Sequence, residues 1–262
     1  MERTRRWLAV AVLVGLPFSG GCAAPEDTTP RMTVQVITTR PHDTNAFTEG
    51  LEIVGDVLYE GTGMSGESSV GASSFRAEPT EPNAPLARAE LPAPYFGEGV
   101  TSAQGTLWQL TWQNHVAIAR DPITLAERRR VAFDGEGWGL CTRGASLVMS
   151  NGTDTLTFRD PVSFAPTGSV TLTSHQGARL NELDCAEDGS VYANDWPTET
   201  ILRIDPESGA VLAVIDARGL LTPAERQGTD VLNGIAQIPG TDRFLLTGKY
   251  WPKMFEVRFV PA

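Results

Sequence analysis

Apolar positions along the chain recur every second residue over runs of four to seven, and each run ends in Gly, Asp, Asn or Pro. The segment "LEIVGDVLYEG" shows the pattern, with Leu51 and Ile53 before a Gly55-Asp56 turn and Leu58 after it. Alternation of this kind predicts short half-buried strands joined by tight turns. Five stretches repeat one plan: "EGLEIVGDVLYEGTG", "EGVTSAQGTLWQLTW", "WGLCTRGASLVMSNG", "NELDCAEDGSVYANDW" and "NGIAQIPGTDRFLLTGK". They begin at Glu49, Glu98, Trp138, Asn181 and Asn233, at spacings of 49, 40, 43 and 52 residues. Each reads as a hairpin: a short inner strand, a Gly- or Asp-rich turn, then a second strand.

A second strand pair follows within three units. "IARDPITLAERRRVAF", "TFRDPVSFAPTGSVTL" and "RIDPESGAVLAVID" each place an Asp-Pro turn between two strands. Proline suits the first central position of a type I turn, and the aspartate caps it. Four strands per unit, five times over, predict an all-β fold, a single-domain five-bladed β-propeller with four antiparallel strands per blade. The final "MFEVRFV" and the early "MTVQVITTRP" would close the ring by completing one sheet. A sandwich does not account for a repeat of this period.

Equivalent repeat positions in a propeller lie around one axis. Glu49, Glu98, Trp138, Asn181 and Asn233 are therefore expected to form one ring, with Trp112, Trp196 and Lys249 close behind. A purely structural repeat would fill these places with similar residues. Here they hold carboxylates, amides, indoles and a lysine, the composition of a ligand-binding depression.

The amino terminus departs from the pattern. "MERTRRWLAVAVLVGLPFSGGCAAPEDTTP" has a basic start, an apolar stretch from Trp7 to Phe18 and small residues before Cys22. The stretch is too short to span a bilayer and reads as a signal segment over residues 1–21. The "SGGC" ending resembles a bacterial lipobox, which implies lipidation at Cys22 and a tether over 22–31 before a propeller domain at 32–262. Ser19 stands where that pattern usually has Leu, so simple secretion to the periplasm or medium is the other reading. Either way the protein is expected at the bacterial cell envelope, touching membrane only through its lipid.

A formal net charge of −11 excludes nucleic acid as a partner, because phosphate binding needs clustered Lys and Arg. Cys141 and Cys185 would meet an oxidising compartment and could pair, but they read more simply as small buried hydrophobes. His42, His115 and His175 are far apart and no CxxC occurs, so no metal centre is evident.

Read in order, "PHDTNAFTEGL", "LYEGTGMSGESSV", "YFGEGVT", "LWQLTWQNHVA", "GEGWGL", "LNELD", "VYANDWPTETILRIDP", "DVLNGIA" and "LTGKYWPKMFEV" resemble the plant- and bacterial-type glutaminyl cyclases, five-bladed propellers. The resemblance spans nearly all of the chain after the leader. It implies conversion of the N-terminal Gln of peptides or proteins to pyroglutamate with loss of ammonia, without a required cofactor. It assigns proton transfer to Glu98 and polarisation of the reacting amide to Asn181 and Lys249. Phe47, Phe96, Trp112, Trp138 and Trp196 become the aromatic walls. Members of that family can hold a cation, often calcium, in the central channel, for which no ligand set is visible here; a monomer is the default for a closed propeller. One departure matters: "FTEG" places Glu49 where many members have Gln, adding a second carboxyl group.

The chemistry has its own logic. Cyclisation needs a group that takes a proton from the attacking amine and returns one to the departing nitrogen, and one carboxyl can do both. Aromatic surroundings would raise its pKa usefully. Glu49 is a candidate to bind the substrate's α-ammonium. Asn233 reads as a turn-former, Trp108 as core, and His42 and His115 as hydrogen-bonded between blades. The alternative function is a non-catalytic propeller that binds peptide termini, favoured by the doubled carboxylate.

Overall fold

The computed structural model describes residues 28–75 and 83–262; the signal segment and Cys22 lie outside these residues. Among them are twenty β-strands and no helix, so no helix is long and apolar enough to cross a membrane. Strand β1 (Arg31–Pro41) opens the chain. Three antiparallel sheets of four strands follow in sequence order. The first holds β2 (Thr48–Val54), β3 (Val57–Thr62), β4 (Ser69–Ser74) and β5 (Ala84–Glu90). The second holds β6 (Gly97–Ala103), β7 (Thr106–Thr111), β8 (Val116–Arg120) and β9 (Glu127–Ala132). The third holds β10 (Leu140–Arg143), β11 (Ser146–Met149), β12 (Thr155–Arg159) and β13 (Pro166–Thr171).

The remaining strands form one eight-stranded sheet with two four-stranded halves. One half is β14 (Leu180–Cys185), β15 (Val191–Asp195), β16 (Thr200–Ile204) and β17 (Val211–Asp216). The other is β18 (Leu232–Gln237), β19 (Arg243–Gly248), β20 (Lys253–Pro261) and β1, with β1 antiparallel to β20 as the terminal segments suggested. A short parallel contact of Arg31–Thr33 with Val214–Asp216 fuses the halves, a joint the alternation pattern does not reveal.

The five expected hairpins are present as β2–β3, β6–β7, β10–β11, β14–β15 and β18–β19. The Asp-Pro turns cap as expected: Asp121 Oδ1 accepts from the Ile123 and Thr124 amides, and Asp160 Oδ1 from those of Val162 and Ser163. First strands are buried on both faces, as in β6, whereas fourth strands such as β9 carry exposed Arg128, Arg129 and Arg130. Charge on an outer edge discourages pairing with other chains.

The core is distributed as seams between successive four-strand groups. Val70 and Leu107 share one seam; Trp108 and Leu147 the next; Val148 and Leu202 the third. Ile215 and Leu246 occupy the fourth, and Leu245 with Leu58 return to the first sheet. Trp108 is fully buried as expected, and its indole donates to the Pro161 carbonyl. His42 links the last group to the first sheet, with Nδ1 2.8 Å from the Trp251 carbonyl and Nε2 2.9 Å from Glu60. His115 contacts the nearby Gly135 carbonyl instead.

The first strands run side by side around the axis, each touching the next and β18 touching β2. Their backbones nearly collide: a Cβ on Gly99 would lie 2.6 Å from the Leu140 amide nitrogen. Glycine recurs at the second place of four repeats, as Gly50, Gly99, Gly139 and Gly234. The fifth has Glu182, whose oxygens accept from the Leu51 and Ile235 amides at 3.1 and 2.7 Å.

Cys141 and Cys185 form a disulfide, with Cα atoms 5.4 Å apart, which corrects the reading of both as free buried thiols. The cause is the repeat itself: both lie near the ends of neighbouring first strands, within bonding reach. Among the described residues no three His, Cys, Asp or Glu side chains form a metal-binding group. Glu182 commits both oxygens to backbone amides.

Candidate active site

Because all the first strands start at the same end of the ring, residues at or just before those starts converge. Glu49 enters on β2, Glu98 on β6 and Asn181 on β14, while Phe47 and Phe96 immediately precede first strands and Trp138 stands two residues before β10. Trp112, Trp196 and Lys249 follow β7, β15 and β19, the strands that return to this end. All nine side chains line one cavity of about 230 Å³, together with Arg179.

The floor is charged. Glu49, Glu98, Asn181 and Lys249 are each no more than 6% exposed. Lys249 Nζ donates to Glu49 Oε1 at 2.7 Å, and Asn233 Nδ2 donates to Glu49 Oε2 at 2.9 Å. Both Glu49 oxygens are thus engaged, which leaves little of Glu49 for a substrate ammonium. Lys249 retains two further N–H donors. Its ammonium lies 4.4 Å from the centre of the Phe47 ring.

Glu98 differs. Its Oε2 is buried without a protein partner, as is Asn181 Oδ1. An unpartnered buried polar atom is costly, and lining a ligand cavity is a reason for a protein to retain one. Burial, then the charge of Glu49, push the Glu98 carboxyl well above the usual range, and the two carboxyls share a hydrogen bond. Burial also raises Glu49, but Lys249 pulls it back to about 7. Glu98 therefore holds its proton more tightly than Glu49 does.

The walls are aromatic and held in place. Phe47 meets Phe96 edge-on at 6.1 Å, Phe96 meets Trp112 at 5.6 Å, and Trp138 meets Trp196 at 5.9 Å and 90°. Trp138 packs over Gly152, where a Cβ would come within 2.5 Å of the indole. Glu136 ties two walls together, with Oε2 accepting from the Trp112 and Trp138 indoles at 2.8 and 2.9 Å. Burial opposes its ionisation, yet the Trp138, Gln113 and Trp112 donors hold it below the ordinary carboxylate range.

Three contributors escaped the sequence reading. Glu136 stands two residues before Trp138 in the loop between β9 and β10, and Arg179 two before Asn181 at the entry to β14. Asn233, read as a turn-former, anchors Glu49 instead.

The family model described as glutamine cyclotransferase matches residues 8–259. A curated Arabidopsis thaliana protein named glutaminyl-peptide cyclotransferase is 35% identical over 237 residues, 87% of this chain and 72% of that one. The crystal structure of Myxococcus xanthus glutaminyl cyclase superimposes with a TM-score of 0.77 at 37% identity, covering 89% of this chain and 99% of that one. A nidogen/laminin complex matches at TM-score 0.52 and 14% identity over 78% of this chain and 73% of that one, a likeness of fold alone. With a family model spanning most of its length and a relative above 30% identity, this chain belongs to the glutamine cyclotransferase family.

Proposed function

We propose that the protein cyclises the N-terminal Gln of peptides or proteins to pyroglutamate, releasing ammonia, with Glu98 as the proton shuttle. The observation that carries this is a buried, unpartnered Glu98 oxygen facing an aromatic cavity beside Asn181 and Lys249. The Gln side chain folds between the indoles, and its carboxamide oxygen meets the Lys249 ammonium and the Asn181 amide. The free α-amine attacks the carboxamide carbon, forming the ring N–C bond and an oxyanion held by those donors. Glu98 gives its proton to the carboxamide nitrogen, the C–N bond breaks, and ammonia departs. The emptied Glu98 then takes the proton from the former amine, restoring the enzyme. Confinement of nucleophile and electrophile in one folded side chain contributes through orientation.

The same reading covers the architecture and location. Five seams and a closed circle of first strands support a five-bladed, monomeric propeller, the eight-stranded sheet being two blades fused through β1 and β17. The disulfide supports export, consistent with a signal over residues 1–21 and a lipid anchor at Cys22.

Incubation with Gln-initiated peptides, monitoring ammonia, tests the activity. Glu98→Gln is expected to lower kcat by about 10³-fold while retaining the thermal transition. Unchanged turnover in that variant would move proton transfer to another group.

A further inference from the structure

Arg179 has no part in the chemistry above, yet it lines the cavity. Its backbone is fixed on both sides, the amide donating to Asp195 Oδ1 at 2.9 Å and the carbonyl accepting from the Trp196 amide at 2.9 Å. The guanidinium lies 4.1 Å from the Trp196 ring centre and 5.4 Å from that of Trp138. Among the described residues nothing accepts a hydrogen bond from it, and it is exposed. The other cation of the cavity, Lys249, is buried and neutralised by Glu49. Arg179 is therefore the cavity's unpaired charge, and it is preorganised: stacking covers one face and leaves the in-plane N–H donors free for a planar acceptor.

Its place along the strand indicates what it meets. Arg179 stands two positions before Asn181, just ahead of β14 and about 7 Å nearer the rim along an extended chain. With the substrate's Gln side chain at Asn181, the peptide leaves the cavity toward the rim, where one Cα step of about 3.8 Å brings its second residue level with Arg179. We propose that Arg179 forms a carboxylate subsite which selects Gln peptides bearing Asp or Glu at the second position, through a bidentate guanidinium–carboxylate pair. The inference rests on the cyclisation reading for the placement of Gln. The overall field cannot mimic it, since a net charge of −11 draws cationic peptides instead.

The test compares kcat/KM for three C-terminally amidated peptides, Gln-Glu-Ala, Gln-Ala-Ala and Gln-Lys-Ala, by ammonia release. The wild type is expected to favour Gln-Glu-Ala over Gln-Lys-Ala by about tenfold. Arg179→Ala should flatten that ratio, Arg179→Lys should keep part of it, and Arg179→Glu should reverse it. A wild type indifferent to the second residue, or a preference that survives Arg179→Ala, overturns the subsite. If Gln-Ala-Ala and both partners go uncyclised, the functional reading fails on its own account. Tryptophan-fluorescence titration with pyroglutamyl-Glu-Ala and pyroglutamyl-Lys-Ala amides then decides the subsite, and equal affinities overturn it.

Discussion

The two ends of the strand ring share one backbone plan and differ in almost everything else. At the end where first strands begin, a cavity of about 230 Å³ is walled by aromatics and lined by two carboxyls and two cations. At the end where they finish, a smaller cavity of about 120 Å³ is lined by Glu52, Asp184 and Glu187 with no cation, and is crossed by the Cys141–Cys185 bond. Glu52 accepts from the Thr101 hydroxyl and Ser102 amide, so its polar atoms are spent on holding strands together. Glu98 at the opposite end keeps an oxygen unspent. Asp184 at the far end also keeps an oxygen unpartnered, so what sets the reactive end apart is the aromatic wall and the cations around its open carboxyl.

The most severe way to break this contrast is to unbalance the reactive end. Lys249→Met strands the Glu49 carboxylate in a buried place, and loss of one partner from such a pair costs about 3–5 kcal/mol. Activity should also fall about 100-fold as an oxyanion donor disappears. Adding Glu49→Gln should recover most of the stability and little of the activity, measured by urea unfolding and ammonia release. Full stability in Lys249→Met alone would mean that the ion pair is not what holds Glu49.

The opposite end should respond in stability only. Replacing Cys141 and Cys185 with Ser opens a loop whose ends are 44 residues apart. The expected loss is about 2–4 kcal/mol, read as a lower denaturant midpoint, with kcat/KM for Gln peptides within about twofold of wild type. A large fall in turnover would show that the two ends are coupled.

The smallest effect is a pH slope. Burial raises Glu52 to about 8 and Asp184 to about 7. In the unfolded chain both lose their protons near pH 4. Between about pH 4.5 and 8 the native state therefore holds more protons than the unfolded one, and stability falls as pH rises. The thermal midpoint should drop by a few degrees from pH 6 to 7, for about 2 kcal/mol. Glu52→Gln should flatten that slope; a slope unaltered in the variant would assign it to other groups.

Much of this was legible from residue order. Period-two alternation located the hairpins, and equal offsets within the repeats placed Glu49, Glu98, Trp138 and Asn181 at one end before any coordinates. Arg179 was not legible because it precedes the repeat that organised the reading, and its neighbours Trp138 and Trp196 are distant in sequence. Pairing of Cys141 with Cys185 was open to the sequence but ranked below simple burial, because their proximity shows only within the repeats, where they fall one place apart on adjacent strands. The engagement of Glu49 depends on Asn233 and Lys249, which lie more than 180 residues away.

Glu182 carries one more consequence. Its side chain, 1% exposed, reaches from β14 across the ring and grips both β2 of the first sheet and β18. The reactive cavity is therefore a blind cup rather than a tunnel. Peptide enters and leaves by one doorway, so each pyroglutamyl product must withdraw before the next terminus can dock. A cup with a single door suits chain ends, because an internal Gln has no free end to thread into it.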